Sequence, residues 1–319
     1  MKPVVTIIMP CYNASEHLPS SIGSVMAQTV RDWELIAIDD GSTDHTLTWL
    51  RAQTDPRLRV HSQPNQGVSA ARNAGLASAS GLYVAFLDAD DTWDTRFLEK
   101  MMAALLLNPD AVLAYCGWQN VGLPGERNKP FVPPDYEAPS KRETLFAGCR
   151  WPIHAALTRR EAILSAGGFD TRLKNAEDYA LWLEIAGMQP IVRVPDVLAF
   201  YHFHGTGQAS NSQVRAALHL LAAQQAYLDR HPEFATQLGN ARRALMYDPL
   251  MQKGYAAYWK RDLPAARVIF RRVMQAGFGG VRDWLHMLPS LLPLRIHRFL
   301  LSVLGNNQPP TSSSNPDRS

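Results

Sequence analysis

Cysteine is scarce, no apolar run is long, and the first loop has neither glycine nor positive charge; each absence removes a class of protein. Only three cysteines occur among 319 residues, Cys11, Cys116 and Cys149, far apart and without a C-x-x-C pair. This usage argues against a disulfide framework or a structural zinc site and points to a reducing compartment. The opening MKPVVTIIMP holds one lysine and an apolar stretch that Pro10 interrupts, so it reads as a first strand and not as an export signal. The apolar stretch at 291–304 is preceded by Pro289, interrupted by Pro293 and carries arginines, which excludes a spanning helix but allows one lying on a leaflet or packing on the body. PCYNASEH, the loop after the first apolar run, has no Gly, Lys or Arg. A nucleotidyltransferase would be expected to carry a basic, glycine-rich phosphate loop there.

Net charge is only +3, but it is unevenly spread. Residues 1–210 carry 18 Lys and Arg against 23 Asp and Glu, whereas residues 211–319 carry 14 against 6. An acidic body with a basic tail directs the tail to an anionic surface. No aromatic platform or known nucleic-acid module accompanies the basic region, so nucleic acid is not an expected partner. With 46% hydrophobic and 19% charged residues, the chain can bury a full α/β core and a smaller appendage.

What is present centres on LYVAFLDADD, residues 82–91, where an apolar run enters a cluster of Asp88, Asp90 and Asp91. Strand propensity and mutual repulsion both disfavour this cluster, so something must offset its cost. A buried strand ending in Asp-x-Asp delivers carboxylates to the carboxyl edge of a parallel sheet, where open α/β folds bind ligands. A hard cation, Mn²⁺ or Mg²⁺, suits such oxygens and is usually completed by substrate phosphates.

Along the chain, strands are expected at 4–10, 33–38, 57–61 and 82–87, alternating with helices. The first helix is expected to start at a capping box, Asn13-x-x-Glu16, and to bury Leu18, Ile22, Val25 and Met26. The second takes Ser42 or Thr43 as N-cap and turns Leu47 and Leu50 inward; the third is the small-residue stretch 67–80. This alternation predicts a mostly parallel sheet with right-handed crossovers. A helix at 96–107 buries Leu98, Met101, Met102 and Leu105, and a strand follows at 111–116. The proline-rich stretch 122–140 reads as a loop excursion. Further on come a strand at 151–157, a helix at 160–165 closed by Gly167 and Gly168, an amphipathic helix at 177–186, and two strands at 191–194 and 198–204. Residues 205–211 mark a boundary, after which the pattern is helical only. Within it, residues 254–277 look like one tetratricopeptide-type helix pair, with Tyr258, Ala266 and Phe270. The domains are therefore read as 1–210, an α/β body; 211–304, a helical region; and 305–319, a disordered tail.

In this topology Asp39 and Asp40 lie at the same sheet edge as Asp88 to Asp91. There one carboxylate can accept the N–H of a base such as uracil while a neighbour holds a metal on a diphosphate. Tyr12 supplies a flat face for the base.

The ordered set MPCYNASEHLPSSIGSVMAQT, WELIAIDDGSTD, QPNQGVSAARNAGL, FLDADD, GGFD and AEDYALWLEIA resembles the family 2 glycosyltransferases, inverting enzymes with a GT-A fold, over residues 3 to about 204. The resemblance implies a Rossmann-like, mostly parallel sheet flanked by helices, and a nucleoside-diphosphate sugar donor with uridine favoured. It implies that Pro10, Tyr12 and Asp40 line the base pocket with Asp39 in support, and that Arg72 helps hold the donor. Asp88 would bind ribose, or metal through water, Asp90 would be the direct Mn²⁺ or Mg²⁺ ligand, and Asp91 would start the next helix. Asp178 would be the general base that takes the acceptor's proton, with Glu177 capping its helix or orienting the acceptor. His204 matches a histidine near the diphosphate or metal, while His154 and Trp151 lie in a stretch that faces the acceptor. For His204, His154 and Trp151 the alternative is a structural role.

The resulting expectation is an inverting, metal-dependent, hexosyltransferase-type glycosyltransferase that acts on a glycan or lipid-linked acceptor in surface polysaccharide or glycolipid assembly. Its place would be the cytoplasm, with the basic helices able to rest on the inner face of the membrane. Two other readings stand beside it: a nucleotidyltransferase on a similar sheet, and a non-catalytic nucleotide-sugar-binding or scaffold protein. The trio Asp88, Asp90 and Asp178 argues against the scaffold, because binding alone has no use for a base.

Overall fold

A computed structural model describes residues 2–204 and 213–304 of the chain. The boundary expected at 205–211 and the tail expected at 305–319 lie outside the described residues. Two compact units result: one takes in the described residues up to 204 and Ala222–Arg230, the other residues 213–221 and 231–304.

In the first unit the strands are β1 (Val5–Cys11), β2 (Trp33–Asp39), β3 (Leu58–Ser62), β4 (Tyr83–Phe86), β5 (Thr92–Trp93), β6 (Leu113–Val121), β7 (Ala156–Arg159) and β8 (Ile191–His202). They form one sheet in the order β3-β2-β1-β4-β7-β6-β8-β5. The first four pair in parallel, as the alternation predicts; β7 is antiparallel to both β4 and β6. Register places Cys11 of β1 opposite Asp39 of β2, and Leu87 donates to the Ile8 carbonyl. The Asp39–Asp40 and Asp88–Asp91 clusters therefore leave the same edge of the sheet.

Helices α1 (Leu18–Met26), α2 (Thr46–Arg51), α3 (Val68–Ser78) and α4 (Phe97–Leu107) connect these strands. Leu18, Ile22 and Val25 of α1 are buried, as are Leu98, Met101 and Leu105 of α4, while Met26, Leu47 and Met102 are half-buried. Helix α3 packs on β1 because it is built of small residues. A Cβ at Gly75 would lie 2.5 Å from Ile8 Cγ2, so only glycine permits this approach. The remaining helices are α5 (Lys141–Phe146), α6 (Arg160–Ser165) and α7 (Glu177–Ala186); α6 does close on Gly167 and Gly168, both with positive φ.

Several local expectations are corrected. The capping box is absent: Asn13 accepts from the Thr43 N–H instead, and α1 begins at Leu18 without a side-chain cap. Neither Ser42 nor Thr43 caps α2; the Asp44 carboxylate accepts from Thr46 N–H, and Ser42 Oγ accepts from Asn13 N–H. Residues 151–155 are not strand, since a turn of 3₁₀-helix at Ile153–Ala155 precedes β7. The two strands expected at 191–204 are one, β8, which absorbs Pro195 through register shifts opposite Gly117 because proline has no N–H for the ladder. Helix α7 is buried on most sides, not amphipathic.

Helix α8 (Gln213–Arg230) is followed in the second unit by α9 (Pro232–Leu238), α10 (Ala241–Trp259), α11 (Leu263–Gln275), α12 (Val281–Met287) and α13 (Leu294–Leu304). The expected helix pair is present as α10 and α11, but α10 begins well before Gly254. Ala266, Ile269, Phe270 and Val273 form the buried face of α11. Gly254 lets the two helices touch: a Cβ there would lie 2.7 Å from the Phe270 ring. Among the described residues, no helix is long and apolar enough to cross a membrane.

Candidate active site

At the outer end of the edge, the loop after β1 is pinned to the loop after β2. Ser15 N–H and Oγ–H donate to Asp44, whose carboxyl is drawn down to about 2 by these bonds and by those from Thr46, against the opposing effect of burial. This pinning sets Tyr12, which stays 52% exposed, beside half-buried Pro10. The two aspartates behind it are buried and engaged. Asp39 accepts from Ser42 N–H at 3.3 Å and Ser62 Oγ–H at 3.0 Å. Asp40 accepts from Gln63 Nε2, Gln66 N–H and Gly67 N–H at 2.7–3.0 Å. Asp39 thus has the supporting place expected of it, tying β2 to Ser42 and Ser62, while Asp40 also holds the 63–67 loop and is the more heavily bonded of the two.

The Asp-x-Asp turn closes with Asp91 N–H on the Asp88 carbonyl, and α1 steadies it through Ser21 Oγ–H on the Ala89 carbonyl at 2.7 Å. Asp90 keeps its carboxylate at the surface of the turn, with Oδ2 3.7 Å from His204 Nε2. Burial and the neighbouring Asp88 both push the Asp90 carboxyl up. His17, at the start of α1, stacks on His204 with centroids 3.9 Å apart and planes 24° apart. The sequence reading passed over His17; nothing in its local spacing distinguishes it, and only the fold brings it to His204.

Asp91 does not start a helix. It is fully buried, accepts from His202 N–H at 3.0 Å, and lies 3.1 Å from His154 Nδ1. Burial, reinforced by Asp88 and Asp90, raises the Asp91 carboxyl well above its ordinary range, and burial drives the His154 imidazole down to about 4. His154 is thus an internal neutral ring, not an acceptor-facing one, and its carbonyl takes the Trp93 indole N–H at 2.7 Å. Trp151 is buried as well, stacked on Tyr115 at 4.6 Å. Both side chains are buried behind the site: a bend at Trp151 and the 3₁₀ turn that holds His154 stand where a strand was expected.

Arg72 links the acidic turn to α7. Its side chain is only 2% exposed, and it donates through Nη2 to Asp88 at 2.7 Å and through Nη1 to Glu177 at 2.9 Å. Its pKa is raised because Asp88 and Glu177 outweigh the desolvation that opposes its charge, so it stays cationic. Glu177 is therefore committed to Arg72, neither capping a helix nor reaching outward. Asp178 follows it on a left-handed residue, Ala176 (φ 62°), that turns the chain into α7. Burial, and Glu177 beside it, push the Asp178 carboxyl up to about 7. Tyr179 N–H donates to Oδ1 at 2.7 Å, and the Cys149 sulfur lies 3.9 Å from Oδ2. Cys149 is a second residue the sequence reading did not place here. Among the described residues, no group of three or more His, Cys, Asp or Glu is disposed to hold a metal ion unaided.

A family model described as glycosyl transferase family 2 matches residues 6–163. The UDP-Glc:alpha-D-GlcNAc-diphosphoundecaprenol beta-1,3-glucosyltransferase WfgD of Escherichia coli is 32% identical over 185 residues, 57% of this chain and 69% of that protein. The O-antigen biosynthesis protein RfbC of Myxococcus xanthus is 30% identical over 190 residues, but these are 58% of this chain and 14% of that protein, so the chain spans a small part of this relative. Among solved structures, S. aureus TarS 1–349 with UDP-GlcNAc superposes with a TM-score of 0.62 at 17% identity, covering 86% of this chain and 81% of that one. The mannosyltransferase PcManGT of Pyrobaculum calidifontis with GDP-Man and Mn2+ gives 0.56 at 22%, covering 96% and 89%. These likenesses carry the fold, a GT-A sheet flanked by helices as expected from the sequence. With the family's motifs in order along β1, β2, α3, β4 and α7, the chain belongs to glycosyltransferase family 2.

Proposed function

We propose that the chain transfers a sugar from a nucleoside-diphosphate sugar, with uridine the favoured base, to a hydroxyl of a lipid-linked or growing surface glycan, with inversion at the anomeric carbon. The observation that carries this is Asp178: a carboxyl lifted to about 7 beside a sheet edge that holds Asp88 and Asp90. A base poised near the working pH can accept a proton and later release it. A scaffold has no use for such a group.

In the reaction, the acceptor O–H gives its proton to Asp178 as its oxygen bonds to the anomeric carbon. The bond from that carbon to the diphosphate oxygen breaks, and the nucleoside diphosphate departs from the opposite face. Tyr12 and Pro10 offer the base its surface, with Asp39 and Asp40 behind them. Arg72 holds Asp88 and Glu177 in place, and so fixes both walls of the site.

Asp90 and Asp88, with His204 beside Asp90, suit Mn²⁺ or Mg²⁺. Asp90 is partly exposed, and its carboxyl is raised by burial and by the neighbouring Asp88, a charge that a cation would offset. One or two carboxylates are enough where substrate phosphates complete the shell. When bound, the metal neutralises charge gathering on the leaving diphosphate.

UDP in the names of WfgD and the TarS complex supports a uridine donor, and the diphosphoundecaprenol acceptor of WfgD supports a lipid-linked one. GDP-Man with Mn2+ in the PcManGT complex supports a metal but leaves guanosine as the competing base. A lipid-linked acceptor would place the enzyme at the inner face of the cytoplasmic membrane.

Thermal stabilisation by UDP and GDP, each with and without Mn²⁺, tests the donor side. Metal-dependent stabilisation by UDP is expected; no response to either nucleotide would overturn the assignment.

A further inference from the structure

We propose that α12, the turn after it and α13 form a docking face for an anionic lipid leaflet. Val281, Leu285 and Leu288 recur at helical spacing and are 80%, 65% and 45% exposed. Leu291, Leu292 and Ile296 continue the exposed apolar row into α13. Isolated exposed leucines are ordinary, but a row confined to one short segment is not.

The segment is firmly built, so its exposure is not the result of fraying. Met287, Ser290 and His297 are fully buried on its inner side. Arg271 donates to the Ser290 carbonyl at 2.9 Å and to the Leu291 carbonyl at 3.3 Å, and Arg267 donates to the Leu292 carbonyl. The chain has fixed the backbone and still left these side chains outside.

Charge selects the occupant. Arg282, Arg295 and Arg298 are exposed along the same segment. Its single acid, Asp283, is turned inward, accepting from Gly280 N–H and Tyr255 O–H at 2.8 Å each. Positive charge flanks the apolar row with no exposed carboxylate between residues 281 and 299. A nucleic acid would match the arginines and leave the leucines in water. A leaflet matches both, with headgroup phosphates at the rim and acyl chains beneath. The helices are too short to span, so the mode is interfacial.

This deepens the lipid-linked acceptor reading and rests on it for purpose alone. The test is flotation of the full chain with vesicles of phosphatidylethanolamine and phosphatidylglycerol, or of phosphatidylcholine alone, with UDP binding measured in parallel. Flotation with the anionic vesicles only, weakened by salt, is expected. Leu285→Glu with Ile296→Glu should abolish it, and Arg295→Gln and Arg298→Gln should each weaken it about fivefold. All four positions are exposed, and unchanged melting will show that the fold is kept. Equal flotation of the double glutamate variant, or equal binding to phosphatidylcholine, overturns the proposal. So does a chain that stays unbound and sediments as a dimer that Ile296→Glu dissociates. A protein that binds UDP but does not float overturns this surface alone, and one that floats without binding nucleotide overturns the transferase reading alone.

Discussion

Arg72 and Glu177 meet at 2.9 Å inside the body, and the same guanidinium reaches Asp88 at 2.7 Å. One cation thereby joins the turn after β4 to the first residue of α7, immediately before Asp178. Lysine cannot reproduce this, because its single ammonium lacks the planar fork.

Arg72→Met should cost about 3–5 kcal/mol of stability, since it leaves two carboxylates without their cation in a poorly solvated place. Arg72→Lys should keep more of the stability yet lower kcat more than it raises KM, because α7 loses its tie to the sheet edge. Urea unfolding and steady-state transfer check both. A change in stability below about 0.5 kcal/mol, the usual level for a surface substitution, would show that the clamp carries no weight.

As the proposed base, Asp178 should set the pH dependence. Its carboxyl rises from 3.8 to about 7 on folding, and the base must be ionised to act, so kcat/KM should climb as pH passes through about 7. The stability effect has the opposite sign. A folded pKa above the unfolded value gives a contribution that is full below 3.8 and lost as pH rises through about 7. Asp178→Asn should therefore bind UDP, lose transfer, and melt higher than wild type above pH 7 while matching it in acid. Retained turnover in that variant would remove Asp178 as base.

The His17–His204 stack predicts a metal effect at a residue that carries no ligand role of its own. His17→Ala should weaken Mn²⁺ binding in the presence of UDP by about fivefold, the order expected from losing an aromatic pair, whereas His17→Phe should preserve it. Calorimetric titration reads this directly. Equal affinity in all three proteins would mean that His204 needs no support from α1.

How much of this was legible follows from where each signal is written. The parallel sheet and its acidic edge are local: apolar runs such as WELIAID and YVAF lead into aspartates, and each can be read within one segment. The hold of Asp40 on the 63–67 loop is not local, because that loop folds back onto the end of β2 from a distant part of the sequence. His17 reaches His204 only in the folded chain, where the end of β8 comes to the start of α1. His154 and Trp151 carry the right chemistry for a cleft, yet both are buried, one in a 3₁₀ turn and the other at the bend before it, where a strand was expected. Glu177 could not be separated from Asp178 by sequence, since only the position of Arg72 decides which of the two is tied.

Asp91 and His154 allow a last test, of a pair that carries opposite charges only if it ionises. Burial raises the carboxyl and lowers the imidazole, which disfavours the ionised pair, and neither Asp91 Oδ2 nor either ring nitrogen of His154 has a hydrogen-bond partner despite the 3.1 Å approach. For His154 the folded pKa, about 4, lies below the unfolded 6.5, so its contribution to stability is full above 6.5 and is lost as pH falls towards 4. Asp91→Asn keeps the oxygen that accepts from His202 N–H and turns an amide towards a neutral Nδ1. It should unfold within about 1 kcal/mol of wild type at neutral pH, where breaking an ionised buried pair would cost about 3–5 kcal/mol. His154→Gln should flatten the acid limb of the stability curve between pH 6.5 and 4. A loss of the larger size in Asp91→Asn would establish a true ion pair beneath the acidic turn, and the turn's carboxylates would then have to be assigned anew.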